Sequence, residues 1–139
     1  MTVRPFQILP RAAWCVPALA LFLGAAAPPP VPALTWSASE QGQYTHSFAV
    51  QAATTYTESG IGGWRLPTVA ELQAALQNGT FGTITPNATW YFWASNTQGA
   101  KKAYAVLVAS DANGQPIPAQ SGTAAVLQKT SFLFAKFVR

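Results

Sequence analysis

"GGWRLPTVAELQAAL", residues 62–76, combines a glycine turn, a tryptophan, an arginine, a proline and a complete helix start. Thr68 and Glu71 stand in the S/T-x-x-E spacing of a capping box, where each side chain satisfies an orphan backbone N–H beside the other residue. Pro67, which has no N–H, comes just before the cap. Val69, Leu72 and Leu76 fall on one face of the helix that follows, and Asn78–Gly79 supplies its stop. The stretch therefore predicts a capped amphipathic helix docked on a core, entered through the glycine-marked turn "ESGIGG" (58–63).

Upstream, Phe48, Ala52 and Tyr56 recur at fourfold spacing with Ala49 and Ala53 alongside. That stripe predicts an earlier helix over Ser47–Tyr56, against the β-branched Val50, Thr54 and Thr55. Downstream the period changes. "WYFWAS" (90–95), "AYAVLVAS" (103–110), "TAAVLQ" (123–128) and "SFLFAKFV" (131–138) are aromatic or β-branched runs separated by turn signals, the pattern of strands. "SDANGQPIP" (110–118) is the expected loop between two of them. Two helices followed by antiparallel strands predict a single α+β domain over residues 34–139, and no internal repeat is visible.

Composition narrows the setting. The chain of 139 residues is 50% hydrophobic and only 9% charged, so solubility must come from Ser, Thr, Gln and Asn, a balance suited to an extracytoplasmic protein. The net charge of +4 is spread along the chain. No block of like charge offers a footprint for nucleic acid, so no nucleic-acid partner is expected. Arg4 and Arg11 precede the apolar run "AAWCVPALALFLGAAA" (12–27), which reads as a signal peptide over residues 1–27. Ala25 and Ala27 offer a cleavage site ahead of Pro28, and "VPA" ending at Ala33 offers a later one. A retained anchor is the other reading, although Pro17 interrupts the run and a membrane span needs about 20 apolar residues. "PPPVPA" (28–33) is a semi-rigid spacer. The expected product is secreted, periplasmic or at the cell surface, with no membrane association after cleavage. Cys15, the sole cysteine, would leave with the signal. The mature chain then has no disulfide, thiol nucleophile or cysteine metal ligand.

The residues "GGWRLPTVAEL" resemble the "G-W-R-L-P-T-x-x-E-L" core of the bacterial DUF1566 family, known from the C-terminal domains of Legionella collagen-like proteins. "FWASNT" (92–97) matches its downstream "Y-W-S-S-T" type motif, and "AKFVR" (135–139) approximates its terminal "V-R-C-V-R". Order and spacing agree over most of the mature chain. The resemblance implies a C-type-lectin-like α+β fold, with two helices packed on a twisted antiparallel sheet and ligands meeting loops and strands of the second half. It marks Trp64, Arg65, Leu66, Pro67, Thr68, Glu71 and Leu72 as a structural motif. Family members often carry one cysteine in the helix before "WRLPT" and another in the terminal motif. Here the helix offers "SFAVQA" and the terminal position is Phe137, a joint loss consistent with apolar packing in place of a disulfide.

Catalytic groups are scarce. The mature chain offers His46 and four carboxylates, Glu40, Glu58, Glu71 and Asp111. Glu71 is taken by the capping box. His46 beside Ser47 is read as a hydrogen-bonded structural or surface histidine, because sequence neighbours rarely meet the nucleophile–base geometry. Formylglycine-generating and oxygenase-type relatives of the implied fold use cysteines or metal-ligand clusters that this chain lacks. No catalytic residue, cofactor or metal is therefore expected. "DANG" (111–114) looks like half a calcium loop, but calcium takes six to eight oxygens, usually several carboxylates. A hairpin tip is the preferred reading. No "EPN" or "QPD" sugar–calcium tripeptide is present.

What remains is a binding surface. In "TWYFWASNT" (89–97), a strand would turn Trp90 and Phe92 one way and Tyr91 and Trp93 the other. One pair could fill the core while the other stacks a sugar or anchors a partner, which makes Tyr91, Trp93 and Asn96 the candidate ligand-binding residues. Burial of both pairs is the competing reading. Arg65 is expected to pair with a carboxylate. Asn78 and Asn87 lie in sequons read as surface turns, and Lys101 and Lys102 as a solvated turn. The expectation is a non-catalytic binding or adhesion-type module for an unidentified macromolecule or surface glycan, engaged through about residues 93–120. A structural or assembly subunit of a surface fibre or envelope complex is the alternative. The ligand and the oligomeric state are not set by these residues.

Overall fold

The computed structural model describes residues 33–139. The expected signal, Cys15 and nearly all of the proline spacer lie outside the described residues. The chain forms β1 (Gln41–Tyr44), α1 (His46–Thr55), α2 (Val69–Asn78), β2 (Thr89–Gln98), β3 (Lys102–Ala109), a 3-10 turn (Pro118–Gln120), β4 (Ala124–Gln128) and β5 (Leu133–Ala135).

Helix α2 starts and stops where its caps dictate. Glu71 N–H donates to Thr68 Oγ1 at 3.1 Å and Thr68 N–H donates to Glu71 Oε1 at 2.8 Å. Gly79, left-handed at φ 80, ends it with its N–H on Ala75 O. Leu72, Ala75 and Leu76 are its buried face. Helix α1 falls within one residue of its expected bounds, but its inward face differs. Phe48 is 60% exposed, whereas Ala49 and Ala53 are fully buried. The reason is close approach: the alanine face shares a cluster with the rings of Trp64, Trp93 and Phe137, and small side chains let the helix sit close to them.

The sheet order is β1-β5-β2-β3-β4. It is not purely antiparallel, as expected, but mixed: β2 and β5 run parallel, with Phe92 opposite Phe134. Nor do all strands follow the helices, since β1 precedes α1 and pairs with β5. Its sequence, "QGQY", has neither apolar alternation nor β-branched residues, so only its partner makes it a strand. The expected strand over 131–138 is regular only for Leu133–Ala135. Val138 then pairs outside the sheet, with Trp36 on one side and Arg65 on the other.

The helices lie on opposite faces. Phe92, Ala94, Val106 and Val108 join Leu72 and Leu76 of α2, while Trp93, Ala103 and Ala105 join Ala49 and Ala53 of α1. Alternation along β2 therefore sends Trp90 and Phe92 to the α2 side and Tyr91 and Trp93 to the α1 side. The strand loses register with β3 between Trp93 and Thr97, a bulge that turns the next residues away from the ladder.

Candidate functional site

The three motif segments meet. At the β2 bulge, Ser95 N–H leaves the ladder and donates to Pro67 O at 2.8 Å. Asn96 Oδ1 accepts the Val69 N–H at 2.9 Å, satisfying another orphan donor of α2. Arg65 and Val138 exchange backbone hydrogen bonds at 2.9 Å each. Trp64, 5% exposed, packs edge-on against Tyr56, which also meets Phe137. Arg139 lies over the Trp64 ring, its guanidinium carbon 5.8 Å from the centroid, and donates to Gly62 O. The arrangement is a clasp that ties the entry of α2 to the sheet and to the C-terminal segment.

Charge completes it. Arg65 binds Glu71 through two hydrogen bonds of 2.8 Å, a bidentate pair. Those bonds are the main reason the Glu71 carboxyl is pulled down to about 2, against desolvation. Glu71 thus serves the cap and the arginine at once.

The candidate ligand residues separate. Trp93 is fully buried and its indole N–H donates to Tyr44 O at 2.8 Å, so it offers no face to a ligand. Its position on the α1 side, under the alanine face, decides this. Tyr91 is half-buried against the same cluster. Trp90 stacks on Phe134 with centroids 3.8 Å apart. Asn96 remains exposed and reaches the surface beside Tyr104. There, Val69, Asn96, Tyr104 and Ala124 line a shallow, mostly apolar hollow of about 260 Å³.

The titratable groups are engaged by the scaffold. His46 is buried, with Nε2 2.9 Å from Ala94 O and its ring edge-on to Trp93. Burial lowers its pKa, against the Ala94 carbonyl, and Lys129 lowers it further. Glu58 accepts Ala38 N–H and Tyr56 O–H, which hold it below its ordinary value, while burial and Glu58 push Tyr56 up to about 12. Glu40 receives Thr85 N–H and O–H. Asp111 Oδ1 closes its own turn on the N–H groups of Asn113 and Gln115. Gly114 in that turn has φ 80, and a Cβ there would collide with Ile84 O, so "DANG" folds as a tight tip seated on the Ile84 backbone. Asn78 and Asn87 are exposed, the latter at φ 55.

Two features escape the sequence reading. One is Asn96 as a cap supplied from another element, for which no local signal exists. The other is Lys136, fully buried, with Nζ on Phe81 O at 2.9 Å and over the Phe81 ring. Burial pulls it down to about 8, opposed by Glu40 and Glu58. Its apolar neighbours in "FAKFV" were the available hint. Among the described residues no three His, Cys, Asp or Glu side chains come together, and no helix is long and apolar enough to cross a membrane. No protein-family model matches this chain, and no curated protein matches it either.

Proposed function

We propose that the chain is an exported, non-catalytic binding or adhesion module of C-type-lectin-like kind, recognising a macromolecule or surface glycan at the far end of β2 and β3. The observation that carries this reading is the hollow of Val69, Asn96, Tyr104 and Ala124, set beside the exposed polar run Ser95–Gln98. At about 260 Å³ it is smaller than the usual ligand pocket of about 300–1,000 Å³, a size fitted to one sugar ring or one protruding side chain. Tyr104 supplies an aromatic face, and Gln98 an exposed amide.

Further support comes from the engagement of His46 and the four carboxylates in structural hydrogen bonds, each of which fixes the side chain to the scaffold. The family resemblance is supported by the convergence of its three motifs in one clasp. Ala49, Ala53 and Phe137 also share a cluster, as apolar packing in place of a disulfide requires.

The test is a glycan-array screen of the protein, with calcium and with chelator, beside Gln98→Ala and Tyr104→Phe variants. Chelator-insensitive binding, weakened about tenfold by either variant, is the expected result. Binding that ignores both variants would place the site elsewhere. Calcium-dependent binding would mean that the Asp111 turn reopens around the ion. Silence would shift weight to the assembly alternative.

A further inference from the structure

The two edges of the sheet are guarded differently. β1 is four residues of "QGQY" with a register shift against β5, and it runs straight into α1. β4 is "AAVLQ", with no charge, proline or glycine, and it pairs with β3 without a register shift. Natural edges are normally blunted by charge, proline or a bulge. β4 has none of these between Ala124 and Gln128.

The direction of its backbone groups follows from two bonds. Leu107 N–H donates to Thr123 O at 2.9 Å and Lys129 N–H donates to Lys101 O at 2.8 Å. Bonded pairs recur at every second residue of an antiparallel ladder. Thr123, Ala125, Leu127 and Lys129 therefore turn their backbone groups to β3. Ala124, Val126 and Gln128 aim theirs outward, and among the described residues β4 has no strand beyond it.

We propose that this edge is a self-association site, on which β4 of a second copy pairs antiparallel with Val126 opposite Val126. In that register Val126 exchanges both of its outward bonds with the Val126 of the second copy, and the Gln128 N–H donates to the Ala124 carbonyl at each end, while the Gln128 carbonyl keeps the Ser131 N–H it already accepts at 2.9 Å. Val126, 36% exposed, forms a β-branched cross-strand pair on the two-fold axis. Charge selects the direction. Lys101, Lys102 and Lys129 all stand at the Gln128 end, while the Ala124 end is uncharged. Parallel pairing would crowd lysine on lysine, whereas the antiparallel pair sets Lys129 beside the neutral Thr123. The strand itself carries no charge for a charged peptide to read. One strand pair buries less than the roughly 1,000 Å² of a stable interface, so the dimer forms and dissociates with concentration.

Sedimentation velocity of the protein from about 1 μM to about 1 mM tests this directly. A concentration-dependent dimer is expected, with the Val126 amide exchanging more slowly as the dimer fills. Val126→Pro removes an outward donor without touching the β3 ladder, and Val126→Lys puts two like charges on the axis. Each is expected to weaken association by at least about tenfold while thermal melting of the dilute protein stays unchanged. If Val126→Pro unfolds the chain, Val126→Lys decides, because it keeps the backbone donor and changes only a partly exposed side chain whose replacement can reach solvent. A protein that stays monomeric throughout overturns the proposal. So does a dimer that survives Val126→Lys, or one in which the Val126 amide exchanges equally fast at every concentration. None of these outcomes depends on ligand binding at the hollow.

Discussion

Helices α1 and α2 are both ten residues long and each follows a threonine, yet they are held by opposite means. α2 carries its own instructions: a capping box, an acidic residue in its first turn and a left-handed glycine at its end. α1 has almost none. Thr45 makes no side-chain cap bond, no charge complements either end, and the chain leaves it extended at Tyr56. Instead His46 N–H is satisfied by Lys129 O, from the link between β4 and β5, and its ring by Ala94 O. α2 buries leucines. α1 buries two alanines beneath Trp64, Trp93 and Phe137. The first helix is fastened from outside and the second from within, so the same substitution should cost different amounts in each.

The largest difference is expected in the core. Leu72→Ala should destabilise the protein by about 2–5 kcal/mol, because it leaves a cavity among Phe81, Phe92 and Val106. Ala53→Leu in α1 should cost about 1–3 kcal/mol by the reverse route, overpacking a face already filled by rings. Denaturant titration of both reads the contrast. A neutral Ala53→Leu would mean that α1 can move off the sheet.

A smaller effect separates the two caps. Thr68→Ala should cost about 1 kcal/mol, and Thr45→Ala, which loses no cap bond, only a few tenths. Equal losses in a melting comparison would break the distinction between helices fastened from within and from without.

The pH dependence sharpens it further. The Glu71 carboxyl is held at about 2 in the folded protein against an ordinary 4.5. A depressed acid contributes its full stabilisation above the ordinary value and loses it as pH falls from about 4.5 towards about 2. With Arg65 half-exposed, solvent screening reduces the contribution to about 1 kcal/mol. The gap between wild type and Glu71→Gln in thermal melts should therefore be narrower at pH 3 than at pH 6, where the wild type leads, and should close only near pH 2. A constant gap would place the role of Glu71 in packing instead. At the bottom of the scale, Phe48→Ser on the exposed face of α1 should change stability by less than about 0.5 kcal/mol. A larger loss would show that this ring is covered in the native protein.

The same contrast explains which residues could be read in advance. The alternation of "WYFW" correctly divides four aromatics between two faces, because side-chain direction in a strand is a property of the backbone. Whether a face is core or surface depends on what lies over it, and that is why Trp93 passes from candidate ligand contact to buried scaffold. Asn96 keeps its place at the surface and serves there as a cap. Its partner, Val69, is a residue from which sequence separation hides it. Phe48 misleads because it completes a helical stripe, while the true inward face is chosen by the width of the gap beneath α1.

Local sequence was enough for α2 with both its ends, for three strand runs and the middle of a fourth, for the Asp111 turn and for the general α+β character. Each depends on hydrogen bonds and steric preferences among residues within a few positions of one another. The parallel pairing of β2 with β5, the existence of β1, the meeting of the three motifs and the inward face of α1 arise only when distant segments come together. Those features balance backbone bonds and apolar contacts between segments as far apart in sequence as Thr35 and Arg139, which exchange backbone hydrogen bonds. No local preference can encode a partner that only chain folding brings near.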